Sequence, residues 1–320
     1  MIMSEQSFVA EVKKKWQIAE NTFAFELIGA EGTVLPKFEA GAHIDIVAGQ
    51  NLTRQYSIAN DPADENKYVL GILKTANPGG VSTAVCTRLE EGGLIRLAGP
   101  RNHFPLNEEA PFSLLIGGGI GITPMLAMAH RLHAINKPFA LHFFARNAST
   151  APFYEDIKDL PFFDKINIYL DESNGNPQLS LQKILLGAET GSHVYTCGPS
   201  GFMNLVIDMS KQVMPEDRIH KEFFEFVEKE TVNTAFEIEI NSTGQVITIP
   251  ENRAAIDVLQ ENGVFVPRNC PKGVCGACAR QVIAGEIDHR DSVLPQMARD
   301  QGYMLLCVSR AKSERIVLDL

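Results

Sequence analysis

No apolar run in this 320-residue chain reaches the ~18 residues of a membrane span. The longest, Leu114 to Ile122, is interrupted by four glycines. A membrane partner is therefore not expected. Positive charge is also scarce. The formal net charge is −10, and a nucleic-acid partner would need a basic face. The start of the chain meets Glu5, Glu11 and Lys13 to Lys15 before any apolar core, so no signal peptide is expected. Six cysteines without a secretion signal read as ligands or thiols in a reducing, cytoplasmic setting rather than as disulfides. Internal repeats and low-complexity tracts are missing as well. The remaining features, 45% hydrophobic and 21% charged residues, fit a globular protein with room for two or three domains.

The most specific pattern is Cys270-Pro-Lys-Gly-Val-Cys275-Gly-Ala-Cys278, followed by Cys307. This C-x4-C-x2-C run with one distant thiol is the plant-type spacing for a 2Fe–2S cluster. Gly273 and Gly276 let the backbone turn its N–H groups toward the sulfurs. A structural zinc would bring two C-x2-C knuckles or histidines, and only His289 is near. Two cysteines are left over. Cys86 reads as a small buried apolar residue. Cys197 either touches a cofactor or packs.

Residues 1–108 read as an all-β module. Phe8–Val12, Thr22–Leu27 and His43–Val47 are short strand-like runs separated by turn residues, which suggests a sandwich or barrel. Arg54-Gln55-Tyr56-Ser57 follows. At Gly79-Gly80-Val81-Ser82, a glycine turn feeds a helix that Ser82 could cap, which is an anion-binding geometry. Each feature alone is commonplace. Together in one small module they point to a phosphate-bearing cofactor, with Arg54 offering a charge-assisted fork.

The texture changes near residue 112. Phe112–Ile116 reads as a buried parallel strand. It enters Gly117-Gly118-Gly119-Ile120-Gly121-Ile122-Thr123-Pro124, and a helix is expected from about Thr123 to Leu132 with Pro124 in its first turn. Ala140–Phe144, Ile166–Leu170 and His193–Thr196 are further strands, so an α/β nucleotide-binding layer is expected. Ile122 stands where a third fingerprint glycine would be, which makes the loop a weak match alone. Cys197-Gly198-Pro199 after a later strand strengthens it, because two glycine turns at strand carboxyl ends form a ligand crevice. A boundary is expected between His220 and Thr234. From Ala235 the chain restarts as β, with Met304–Val308 expected as a buried strand carrying Cys307.

In this order the pieces resemble the phthalate dioxygenase reductase family, and the likeness extends to Pro100–Leu106 and to the closing Ser309–Leu320. The resemblance implies three domains: an antiparallel β-barrel flavin domain (1–108), an α/β NAD-binding domain (109–226) and, after a 227–234 linker, a β-grasp plant-type ferredoxin domain (235–320). It implies that Arg54, Tyr56 and Ser57 form the flavin R-x-Y-S motif, with Gly80 and Ser82 at the flavin phosphate. Gly118, Gly119, Gly121, Thr123 and Pro124 match the pyridine-nucleotide loop, and Cys197, Gly198 and Pro199 fall beside the nicotinamide. Glu222 and Phe224 match an H-x-E-x-F segment next to the flavin. Cys270, Cys275, Cys278 and Cys307 become cluster ligands. The domain order goes with FMN, and the family favours NADH. Arg146 could receive a 2′-phosphate, with Asp171 and Glu172 one strand later.

The expected function is an electron-splitting reductase. NADH would give a hydride to the flavin, and single electrons would pass to the 2Fe–2S cluster and on to a terminal Rieske oxygenase. No general acid or base is required, so no catalytic residue is assigned. The edge from Lys272 to Val274 is expected to face the partner. Two rival readings are a non-catalytic electron carrier of the same fold and an enzyme that reduces a small substrate itself. The intact flavin and nucleotide motifs argue against the first, and the lack of a further substrate domain against the second.

Overall fold

The computed structural model describes residues 7–49, 52–75, 81–174, 176–224, 233–267, 273, 276–291, 294 and 296–320. The chain divides into two compact units, Met1–Phe224 and Glu225–Leu320.

The first unit opens with strands β1 (Phe8–Ala19), β2 (Thr22–Gly29), β3 (His43–Gly49), β4 (Leu52–Ser57) and β5 (Tyr68–Leu73), helix α1 (Val81–Arg88) and strand β6 (Leu94–Arg101). The strands form one antiparallel sheet in the order β4-β3-β6-β1-β2-β5. A bridge between Ile58 and Leu70 joins its two edges, so the sheet closes on itself as a barrel. Alternation of apolar residues explains the closure. Ile44 and Ile46 of β3, Phe25 and Leu27 of β2 and Leu70 and Ile72 of β5 fill one core. Ser82 lies inside the first turn of α1, which begins at Val81, so it does not cap that helix. Its Oγ is 3.0 Å from Thr75 Oγ1.

A second sheet follows in the same unit. Strands β7 (Ser113–Gly118), β8 (Phe139–Ala145), β9 (Ile166–Leu170), β10 (His193–Cys197) and β11 (Ile219–Glu222) are all parallel, in the order β11-β10-β7-β8-β9. Helices α2 (Ile122–Ala134), α3 (Asp171–Asn174), α4 (Pro177–Leu186) and α5 (Ser200–Ser210) lie in the crossovers, and short 3-10 turns alone connect β8 to β9. Every residue of β7 is buried, as its unbroken apolar run requires. The strand order reverses between β7 and β10, so the turns after these two strands flank a switch point. Strand β11 lies before the expected 227–234 linker, in a stretch for which the sequence predicts no strand. Its sequence, Ile-His-Lys-Glu, has little apolar content, and it becomes a strand by pairing along β10.

The second unit contains β12 (Phe236–Ile240), β13 (Val246–Ile249), α6 (Ala255–Glu261), β14 (Ala279–Ala284), β15 (Ile287–Asp288), α7 (Gln296–Asp300), β16 (Tyr303–Leu305), β17 (Arg310–Ala311) and β18 (Arg315–Leu318). Its sheet runs β13-β12-β18-β14-β16, with the closing segment β18 placed parallel beside β12. Helix α6 buries Ile256, Val258 and Leu259 against this sheet and ends before Gly263, whose φ of +80° suits only glycine well. The strand expected over Met304–Val308 is shorter. It ends at Leu305, so Cys307 sits in the turn that follows rather than on the ladder.

No helix among the described residues is long and apolar enough to cross a membrane.

Candidate functional site

The first unit brings the two glycine turns into contact. A Cβ on Gly121 would stand 2.2 Å from the Cys197 carbonyl oxygen and 2.6 Å from Gly198 N. A Cβ on Gly118 would meet the Phe202 ring at 2.7 Å, and one on Gly198 would meet Phe202 at 3.0 Å and Gly118 Cα at 3.1 Å. Only glycine lets the chains approach this closely. Gly119 is different. Its φ is +52°, and nothing lies within 4 Å of where its Cβ would be, so its backbone faces open space. Close backbone packing beneath an open turn at a switch point is the geometry of a nucleotide crevice. Thr123 is buried, and its hydroxyl donates to the Ile120 carbonyl at 3.0 Å, which braces the loop. Pro124 is buried in the first turn of α2, and Pro199 precedes α5.

The barrel supplies the opposite wall. Tyr56 on β4 pairs with Ile44 and packs partly on the barrel core. Burial raises its phenol pKa, and the neighbouring Cys86 thiol adds to this. Arg54 lies two residues earlier on β4, opposite Ile46. Ser57 ends the strand and donates from Oγ to Glu222 Oε2 at 3.2 Å. Glu222 belongs to β11, so this bond ties the flavin-type strand to the edge of the nucleotide sheet. Burial pushes the Glu222 carboxyl up to about 7, while the Ser57 bond pulls the other way. Cys197 lies opposite Glu222 in the β10–β11 register and is fully buried. Burial, then Glu222, hold its thiol well above the usual range. The sulfur is therefore a neutral, packed thiol, and of the two roles open for it packing is the one its burial supports. Phe224 packs on the core beneath.

Three features escaped the sequence. Gly71 of β5 allows the barrel to meet the nucleotide loop, since a Cβ there would lie 2.9 Å from Thr123 Cγ2 and 3.2 Å from Ile120 Cδ1. Phe202 wedges against both glycine turns. Glu172 is next to Arg146 in space: its N–H donates to the Arg146 carbonyl, and its carboxylate accepts from Asn147 Nδ2 at 2.9 Å. An isolated glycine, an aromatic on a helix and an acid one strand away carry no signal of such meetings.

In the second unit, Cys278 and Cys307 are both buried, at 2% and 6% exposure. They come together because Ala279 pairs with Leu305 and the Leu306 N–H reaches the Cys278 carbonyl at 3.4 Å. Gly276, two residues before Cys278, has φ +74° with open space at its Cβ position. Two enclosed thiols beside an open glycine turn fit the sulfur-ligand set of an iron–sulfur cluster. Cys270 and Cys275 lie outside the described residues, as do Gly80, Lys272 and Val274. Gly273, the middle of the edge expected to face a partner, is buried.

Comparisons with known proteins agree with this geometry. Residues 9–105 match the oxidoreductase FAD-binding domain and residues 238–312 the 2Fe-2S iron-sulfur cluster binding domain. The chain is 39% identical over 306 residues to a vanillate O-demethylase oxidoreductase of a Pseudomonas species, covering 95% of this chain and 96% of that one. It is 34% identical over 312 residues to the phthalate dioxygenase reductase of Burkholderia cepacia, covering 97% and 96%. A solved phthalate dioxygenase reductase, described as a modular structure for electron transfer from pyridine nucleotides to [2Fe-2S], superposes with a TM-score of 0.74 at 33% identity and covers 98% of both chains. The closed barrel, the switch-point crevice and the paired thiols thus stand in one polypeptide of known kind: the chain belongs to the phthalate dioxygenase reductase family of flavin- and iron–sulfur-dependent oxidoreductases.

Proposed function

We propose that this protein is the NADH-dependent reductase component of a Rieske-type oxygenase system, acting in the cytoplasm. The observation that carries the reading is the Ser57–Glu222 hydrogen bond, which brings the R-x-Y-S strand and the end of the nucleotide sheet to one site. When bound, FMN would convert the hydride of NADH into single electrons that a 2Fe–2S cluster can carry.

Each group of residues then has a task. Arg54, Tyr56 and Ser57, with Gly80 and Ser82, hold the flavin. Gly118 and Gly121 let the two turns pack closely and Gly119 leaves open backbone for a dinucleotide to approach, while Thr123 and Pro124 fix the loop into α2. Gly198 and Pro199 line the opposite lip, with Cys197 packed beneath and Phe224 below. Ser57 orients the Glu222 carboxyl, which can hold or release a proton near neutral pH because its pKa is about 7. Cys270, Cys275, Cys278 and Cys307 would ligate the iron. The nearness of Glu172 to Arg146 supports NADH over NADPH, because a carboxylate at that turn opposes a 2′-phosphate. The three-domain boundaries at 108, 226 and 235 belong to the same reading.

The test follows the absorbance of purified holoprotein during anaerobic NADH addition, with the released flavin identified. Bleaching of FMN and reduction of the cluster are expected. A flavin that stays oxidised under NADH would turn the reading toward a non-catalytic electron carrier.

A further inference from the structure

The ferredoxin unit holds an ion pair between a buried carboxylate and a half-buried guanidinium that the cysteine spacing does not anticipate. The Asp291 side chain is 0% exposed, and Arg299 Nη2 lies 3.1 Å from its Oδ2. The Leu294 N–H donates to the same oxygen at 2.8 Å. Arg299 also donates to the Asp291 carbonyl at 3.0 Å and, through Nε, to the Leu294 carbonyl at 3.1 Å. It therefore clamps the turn that carries its partner. Among the described residues, Asp291 Oδ1 has no hydrogen-bond donor, and His289 Nδ1 stands 3.7 Å from it. Burial and the nearby Arg299 lower the His289 pKa, so its ring is neutral near pH 7. The cluster of side chains thus sets one anion against one cation.

This pair lies against the cysteine loop. Gly273, between Cys270 and Cys275 in sequence, has φ +67°, and a Cβ there would stand 2.5 Å from Val308 Cγ2 and 3.4 Å from Asp291 Cα. Val308 directly follows Cys307. The Arg290 N–H donates to Ser309 Oγ at 3.2 Å, which fastens the Asp291 segment to the turn bearing that thiol. Both charges are therefore fixed next to the chain that would surround the iron.

A cluster that accepts one electron gains one negative charge, and net charge near it is one of the terms that set its potential. A carboxylate opposes that electron and a guanidinium favours it. Partly buried pairs are screened by salt less than exposed ones. We propose that Asp291 and Arg299 are a tuning pair for the 2Fe–2S cluster, Asp291 lowering its reduction potential and Arg299 raising it. The electron is the one delivered from NADH, and no bond or proton need change at the pair. The proposal rests on the cluster reading above.

The experiment is a redox titration of the full-length holoprotein, following the visible absorbance and the paramagnetic resonance of the reduced cluster. At a fixed ambient potential, Asp291→Asn should raise the ratio of reduced to oxidised cluster by about tenfold, and Arg299→Gln should lower it by a similar factor, the size of effect that a unit charge about 12 Å away has at an effective dielectric of about 20. The double variant should return toward the wild type. Arg299→Lys should keep the wild-type potential while lowering the melting temperature, because it keeps the charge and loses the clamp. Equal potentials in all variants, or shifts of the same sign in both single variants, would overturn the pair. Each single variant tests its own sign, so one that fails to fold leaves the other decisive. A wild-type protein without iron would overturn the cluster reading and the pair with it, whereas an intact cluster with unmoved potential overturns the pair alone.

Discussion

Two carboxylates, one half-buried in the first unit and one buried in the second, are held in opposite ways. Glu222 in the first unit accepts a hydrogen bond from the neutral Ser57 hydroxyl, and its pKa is pushed up to about 7. Asp291 in the second unit faces a guanidinium and a backbone N–H. A carboxyl met by a hydroxyl can change its protonation near pH 7, whereas the other is set directly against a guanidinium. The difference matches the chemistry proposed for each unit. Hydride exchange is sensitive to nearby protons. Single-electron transfer through a cluster needs a constant field.

The largest expected effect would separate the two units outright. Cys307→Ser removes one of the two buried thiols among the described residues of the ferredoxin unit. Electron delivery to the natural acceptor should fall to background while NADH still reduces the flavin and ferricyanide. Loss of both activities from a folded, flavin-loaded variant would break the division of labour.

Next in size is Gly121→Ala. Its Cβ would meet the Cys197 carbonyl at 2.2 Å, so the two crevice turns must part. A displacement of about 1 Å costs on the order of a hundredfold in rate, and kcat/KM for NADH should fall by that order. The iron signal should be untouched. A variant with wild-type kinetics would mean that the crevice is not where NADH binds.

Ser57→Ala is smaller and sharpens the contrast between the carboxylates. It removes the bond that lowers the Glu222 pKa, so the pH profile of flavin reduction should move upward, with a rate loss on the order of tenfold. An unmoved profile would detach Glu222 from the reaction.

The smallest effect is on stability. The folded pKa of Glu222 lies above its ordinary value of 4.5. Its contribution is thus fully present below about pH 4.5 and is lost as pH rises through about 7. Glu222→Gln cannot ionise, so its melting temperature should gain on the wild type between pH 5 and 8. A difference that stays constant across this range would show that the carboxyl does not titrate there.

Local signals account for what could be read from the sequence. The thiol spacing of Cys270, Cys275 and Cys278 needs only a few residues of context, and so does the glycine turn after β7. The all-apolar run of β7 and the alternation of β12 fixed their strand types for the same reason. The misplaced elements are those that depend on a partner. Strand β11 exists because β10 offers it a ladder. Cys307 falls into a turn because pairing with β14 stops at Leu305. The helix of Ser82 starts two residues earlier than its capping chemistry suggests.

The kind of chemistry was legible from residue order alone: four thiols at cluster spacing, an R-x-Y-S strand, and glycine turns where phosphates can approach. Periodicity and spacing are properties of neighbours along the chain, so they survive without coordinates. Which separated groups meet depends on how the chain folds. Ser57 and Glu222 are 165 positions apart, and Arg299 closes on Asp291 beneath Gly273. Burial then gave these meetings their force, because a carboxyl enclosed by protein takes its charge state from the one or two groups that touch it.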